Sequence, residues 1–345
     1  MFGSLGLPGL LAVFLVAAGV IWVAGVWLSG ATDVLSERLG LGEALGGLIL
    51  LAIATNLPEI AITTSAAFSG DLGIATGNIL GGIAIQTVVL AILDAGCRGP
   101  GGPLTTRSDS LILLIEGGVV VGVLAVVVMG AQLPPGLALG HTSPASTLVV
   151  AVWLVGLWLV SRARRGLPWQ DRVRPRRKRM KQSERRLGST SRAVLLFSLG
   201  AGLTLAAGVV VEQSGEGIAG EVGLSGAVFG ATVLAAATSL PEISTGLASV
   251  KLGDYELAVS DIFGGNAFLP TLFFVATLIS GKAVLPDAGK TDIYLTALAI
   301  LLTLVFMTGL LFRPQKRIAR LGIDSLVAVG LYAVGVLGLI AVTHG

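Results

Sequence analysis

Residues 54–82 read ATNLPEIAITTSAAFSGDLGIATGNILGG, and residues 237–265, 183 positions later, read ATSLPEISTGLASVKLGDYELAVSDIFGG. The two lines align without a gap, and 14 of the 32 positions from 51 to 82 are identical to their partners. Each copy sets a glutamate, Glu59 or Glu242, directly after a proline inside an apolar run. A carboxylate at the centre of a bilayer costs roughly 2.5–3.5 kcal/mol on insertion scales unless something compensates it. Two of them at equivalent places point to a duplicated membrane architecture in which both copies contribute an acid to one centre.

The rest of the chain fits a bilayer. Of its 345 residues 54% are hydrophobic and 12% charged, where soluble domains carry about 25% charge. Its 49 glycines suit closely packed transmembrane helices. A single cysteine, Cys97, excludes an internal disulfide and a cysteine metal site. The two histidines, His141 and His344, lie outside the repeated segments. No Ser/His/Asp set, phosphate loop or cofactor motif is visible, so neither an enzyme nor a resident cofactor is expected. The opening run, MFGSLGLPGLLAVFLVAAGVIWVAGVW, lacks the basic start of a signal peptide and reads as a first, retained helix.

Apolar runs long enough to cross ~30 Å of hydrocarbon fall at about 8–28, 42–68, 72–94, 110–130, 146–161, 193–211, 224–250, 255–280, 292–312 and 323–342. The expected fold is thus an all-α polytopic membrane protein of ten transmembrane helices. A first five-helix repeat takes residues 1–161 (duplicated segment about 42–94). A second takes residues 193–345 (duplicated segment about 224–280). Between them, residues 162–192 hold 13 Lys and Arg. That linker reads as a solvated cytoplasmic loop, with anionic lipid as a secondary contact and nucleic acid excluded. With the linker inside, 21 of the 23 basic residues are cytoplasmic, only Lys282 and Lys290 are outside, and both termini are external. Glu212, Glu216 and Glu221 then fall on the outside. Five spans is an odd number, so the repeats are inverted and meet near the midplane.

Proline has no N–H and clashes with the carbonyl four residues back. Pro58 therefore frees the carbonyl of Ala54, and Pro241 that of Ala237. Thr55, Glu59 and Thr63 share a helical face; Thr238 and Glu242 repeat the arrangement, with Asn56 and Ser239 alongside. Asn78 and Asp261 are a further equivalent pair, each followed by two glycines, Gly81-Gly82 and Gly264-Gly265. Gln86 and Asn266 are additional polar candidates. Such oxygen ligands suit hard cations. For the glycines, close packing competes with a binding role, and Thr63 or Gln86 could equally be satisfied by neighbouring helices. Glu116, near the inner end of the fourth span, has no repeat partner, and Glu43 and Asp94 lie at span ends where water is expected to reach them.

These residues resemble the Ca²⁺/cation antiporter superfamily, in particular its sodium/calcium exchangers. ATNLPE and ATSLPE match that family's G-T-S-L-P-E, and GNILGG and SDIFGG its G-N-x-x-G-S. The resemblance implies exchange of Ca²⁺ for Na⁺ by alternating access, with Glu59 and Glu242 as central metal ligands assisted by Thr55 and Thr238. It also implies that helices one and six slide across the core. The family's serine is Gly82 here and Gly265 in the second copy, and its polar residue four positions on is Gln86 and Leu269. Those positions contribute to sodium sites in the exchangers, so a Ca²⁺/H⁺ antiporter on the same carboxylates stays open as an alternative. A passive cation channel and a membrane scaffold are weaker readings. The expected partners are inorganic cations and lipid, in the plasma (inner) membrane, with no oligomer required. Mg²⁺ or Mn²⁺ as cargo, the stoichiometry and the direction of flux stay open.

Overall fold

The computed structural model describes residues 5–165, apart from 39–46, Pro135, Ala138 and Gly140, and residues 190–344. Its first half runs α1 (Leu7–Arg38), α2 (Gly47–Thr55), α3 (Leu57–Ser69), α4 (Leu72–Gly96), a single turn α5 (Leu104–Arg107), α6 (Ile112–Gly130) and α7 (Pro144–Arg164). The second runs α8 (Thr190–Val222), α9 (Gly226–Phe229), a π-helical turn (Gly230–Leu234), α10 (Ala235–Thr238), α11 (Leu240–Leu252) and α12 (Tyr255–Phe268). A 3₁₀ turn at Pro270 leads to α13 (Leu272–Ser280), followed by α14 (Lys290–Phe312), a small hairpin β1–β2 (Arg317–Ile318 with Leu321–Gly322) and α15 (Ile323–His344). Among the described residues, eight helices are long and apolar enough to cross a membrane, or nine if the bent pair around Ser239 is one span. The pair α2–α3 is not in that count; its expected start, 42–46, lies outside the described residues, as do Glu43 and most of the 162–192 linker.

Several helices outrun the expected spans. The helix α1 has 32 residues and α8 has 33, and at 1.5 Å per residue each is close to 50 Å long. Hydropathy ends at the first charges, whereas helical hydrogen bonding continues past the hydrocarbon. Glu212 is consequently not in an outer loop. It is 3% exposed on α8, and the Ser65 hydroxyl of α3 donates to it at 3.2 Å. The helix α7 likewise runs on to Arg164, past the expected boundary at 161.

The repeated letters Gly-Asp have a geometric cause. Gly70 and Gly253 end α3 and α11 with φ of 85° and 77°, a left-handed conformation that glycine adopts without a Cβ penalty. The next residues, Asp71 and Asp254, cap α4 and α12 by accepting from the backbone N–H of Ile74 and Leu257 at 3.3 and 3.1 Å.

The long helices α1 and α8 lie against each other and against the broken helices. A Cβ on Gly25 of α1 would stand 2.8 Å from the Pro241 Cβ, and one on its repeat partner Gly208 of α8 would stand 2.9 Å from the Ala61 Cβ and 3.2 Å from the Pro58 oxygen. Each long helix thus presses a glycine onto the proline break of the other half. The most buried long helix, α4, packs against α3, α14 and α15.

Connections gather at two ends. At one, Asp94 is fully buried rather than water-exposed: it accepts from the N–H of Leu104 (2.7 Å) and Gly322 (2.6 Å) and from Ser325 Oγ (2.8 Å). It clamps two chain reversals by accepting from a backbone N–H of each. Arg107 joins the same end by donating to Tyr255 Oη at 2.7 Å. There too, Glu116 is neither free nor solvated; Arg164 Nη2 and Ser260 Oγ donate to it at 3.0 and 2.9 Å. At the other end, Gly130 abuts Leu285.

Candidate cation site

The two proline breaks are built alike. Around Pro58 the ladder runs from Asn56 N–H to Ala52 O (3.2 Å) and from Ile60 N–H to Asn56 O (3.0 Å). Around Pro241 it runs from Ser239 to Ala235 (3.0 Å) and from Ile243 to Ser239 (3.1 Å). With no N–H on either proline, the carbonyls of Ala54 and Ala237 lose their i+4 donors. Asn56 Nδ2 donates to Ala52 O at 2.6 Å and Ser239 Oγ to Ala235 O at 2.7 Å, so two different side chains perform the same task at equivalent positions. Thr55 and Thr238 bond their own helices, to Leu51 O (3.1 Å) and Ala235 O (3.2 Å).

Each break also creates a new helix N-terminus, and Glu59 and Glu242 occupy the first turns of α3 and α11. Unsatisfied N–H groups there favour negative charge. Both glutamates are 0% exposed. They meet on one side chain: Gln86 Nε2, from α4, donates to Glu59 Oε1 at 3.3 Å and to Glu242 Oε1 at 3.4 Å. The threonines are crossed between halves, Thr238 beside Glu59 and Thr55 beside Glu242. The ion pairs among the described residues, Arg164–Glu116 and Arg317–Asp94, involve neither glutamate.

The other candidates surround this centre unequally. Asp261 lies close enough to Glu242 for their charges to interact, and Thr245 Oγ1 donates to it at 2.5 Å. Gly265 faces the site: a Cβ there would come within 2.9 Å of Asn56 Nδ2 and 3.6 Å of Gln86 Oε1. Its partner Gly82 instead faces Leu269, at 3.7 Å, and Gly81 meets the backbone of Ala231. Asn266 turns toward α4, donating to Thr87 Oγ1 (3.0 Å) and Ile83 O (3.4 Å). Asn78 and Thr63 are fully buried without side-chain partners. Thr245 and Thr87 had no signal in the sequence, because their partners lie on other helices.

Buried polar atoms without partners cost free energy, and several belong to the candidate residues. Glu59 Oε2, Glu242 Oε2, Gln86 Oε1, Asn56 Oδ1 and Asn266 Oδ1 all lack one. All five are acceptors, which is what a hard cation takes as ligands. Among the described residues no three His, Cys, Asp or Glu side chains converge as a metal cluster. The unpartnered oxygens are two from carboxylates and the rest from neutral amides.

Buried acids at paired helix breaks, on duplicated segments of a membrane protein, fit a cation transporter. The chain belongs to the sodium/calcium exchanger protein family, which matches residues 9–164 and 191–341. That family consists of transporters rather than enzymes, and its cations are substrates, not cofactors. The chain is 25% identical to the putative antiporter CaxA of Alkalimonas amylolytica, over 86% of this chain and 89% of that one. It is 27% identical to the inner membrane protein YrbG of Escherichia coli (strain K12), over 82% of each. Its fold resembles the sodium-calcium exchanger NCX_Mj (TM-score 0.60, 17% identity, 96% of this chain and 99% of that one). It also resembles native YfkE (TM-score 0.62, 15% identity, 94% and 91%).

Proposed function

We propose that this chain exchanges Ca²⁺ for Na⁺ by alternating access, holding the cation between Glu59 and Glu242. One observation carries the reading: two fully buried glutamates, one from each repeat, share one amide and each keeps an oxygen without a partner. Thr55, Thr238, Asn56, Ser239 and the carbonyls of Ala54 and Ala237 complete the ligand set, with Asn78, Asp261 and Asn266 around it. The scaffold is ten spans in two inverted halves, residues 1–161 and 193–345, with residues 162–192 cytoplasmic and both termini external. Support comes from the loops: those expected inside share one end of the bundle through Asp94, Arg107 and Arg164.

A proton-coupled version has its own support. The repeat partner of Gln86 is Leu269, which is 0% exposed and supplies no ligand, and Gly82 faces that leucine. Purified protein in proteoliposomes separates the two. Uptake of ⁴⁵Ca²⁺ driven by internal Na⁺ at equal pH supports sodium coupling; uptake driven only by a pH gradient assigns the carboxylates to proton exchange. Uptake under neither gradient contradicts both.

A further inference from the structure

The two repeats bring different amounts of charge to the centre. Where the first has Ile62 and Asn78, the second has Thr245 and Asp261. Ile62 and Asn78 are both 0% exposed, and neither carries a charge. Thr245 and Asp261 are 2% and 4% exposed, and there the added acid comes with a hydroxyl that holds it. Thr245 Oγ1 donates to Asp261 Oδ2 at 2.5 Å. A threonine hydroxyl has one proton, and this contact takes it ahead of the 3.2 Å contact to the Glu242 carbonyl. Hydrogen bonds to ionised groups are about twice as strong as neutral ones, and a β-branched side chain is stiff at its first bond. Thr245 follows Glu242 by one turn of α11, so it fixes Asp261 of α12 where its charge reaches Glu242.

Resting on the antiporter reading, the geometry points to Asp261 as a charge that favours divalent over monovalent cations, with Thr245 as its positioning residue. Asp261 lies two helical turns before Leu269, where the exchangers' own polar residue of this repeat falls, and it acts through its field rather than by touching the ion. That attraction scales with the charge of the cation. Removing it therefore costs a divalent ion twice the free energy that it costs a monovalent ion at the same place. In affinities, the fold loss for Ca²⁺ is the square of the fold loss for Na⁺, so the effect does not cancel from their ratio. Thr245 acts only through the acid: without its hydroxyl, the carboxylate turns to other donors and leaves its place beside Glu242. The first repeat supplies no counterpart, because Asn78 is neutral.

The test is equilibrium binding of ⁴⁵Ca²⁺ to the purified full-length protein, with competition by NaCl. Asp261→Asn removes the charge at nearly constant shape, Thr245→Val removes the hydroxyl likewise, and Thr245→Ser keeps it. Asp261→Asn is expected to weaken Ca²⁺ binding about tenfold and Na⁺ binding about threefold. Thr245→Val is expected to weaken Ca²⁺ more than Na⁺ in the same square relation, and Thr245→Ser to stay near the natural protein. In the Asp261→Asn background, Thr245→Val adds nothing. Equal fold losses for the two ions overturn the inference, as do natural affinities in Asp261→Asn. A Thr245→Val loss that persists in the Asp261→Asn background marks a structural role and also overturns it. If Thr245→Val does not fold, Asp261→Asn decides by the ratio; if NaCl does not compete, the double-mutant cycle on Ca²⁺ alone decides. Absence of any Ca²⁺ binding that Glu242→Gln removes is a different failure: it overturns the antiporter reading itself, and this inference with it.

Discussion

Gly82 and Gly265 are repeat partners with the same letter and different surroundings. A Cβ on Gly265 would press on the Asn56 amide at 2.9 Å, whereas on Gly82 it would meet Leu269 at an ordinary 3.7 Å. Overpacking costs roughly 1–3 kcal/mol, so Gly265→Ala is expected to weaken Ca²⁺ binding about tenfold or more, and Gly82→Ala to leave it nearly unchanged. Calorimetric titration of the two variants checks this. Burial, assisted by the charge of Asp94, pushes the Cys97 thiol up to about 11. At neutral pH it stays protonated as well as buried, so maleimide is expected to label it slowly in the folded protein and quickly in denaturant. At this scale the sequence made Glu59 and Glu242 legible, since no nearby basic residue could neutralise them. It did not separate Gly82 from Gly265, because the difference lies in which helix each one faces.

The glycine contacts of α1 and α8 and the Asp94 clamp belong to the scale of elements. Gly25→Ala inserts a methyl 2.8 Å from the Pro241 side chain, and Gly208→Ala one 2.9 Å from Ala61 and 3.2 Å from the Pro58 oxygen; either is expected to lower Tm and transport together. Gly202→Ala, with nothing within 4 Å of its Cβ, serves as the control and is expected to be neutral or stabilising by up to ~1 kcal/mol. Asp94→Ala removes the acceptor of two buried backbone N–H groups. At ~1–3 kcal/mol for each orphaned donor, a lower Tm is expected, with Ca²⁺ affinity of the folded protein retained. Thermal melts beside ⁴⁵Ca²⁺ binding distinguish these outcomes. The turns Gly70-Asp71 and Gly253-Asp254 were visible as repeated letters, but their roles as left-handed cap and N-cap were not. The burial of Asp94 has no sequence signal, because a charge near the end of an apolar run looks solvated until the loop that folds over it is known.

Over the whole molecule, the all-helical membrane fold was legible in the long apolar runs, since hydropathy is a property of sequence alone. The pairing of α1 with α8, and the burial of Glu212 between α8 and α3, depend on contacts between segments far apart in the chain, and hydropathy has no access to those. The orientation is testable: cysteines placed at 166–189 are expected to react with an impermeant maleimide only from the cytoplasmic side, against the low background of buried Cys97. Reaction from outside reverses the assigned topology. The central claim is that both repeats hold the same transported ion. It is tested most directly by initial rates of gradient-driven ⁴⁵Ca²⁺ uptake in proteoliposomes for the natural protein, Glu59→Gln and Glu242→Gln. Removing one partner from a buried charged site costs ~3–5 kcal/mol, so each variant is expected to lose uptake by about a hundredfold or more. Uptake near the natural rate in either variant, with the protein folded and inserted, contradicts the account.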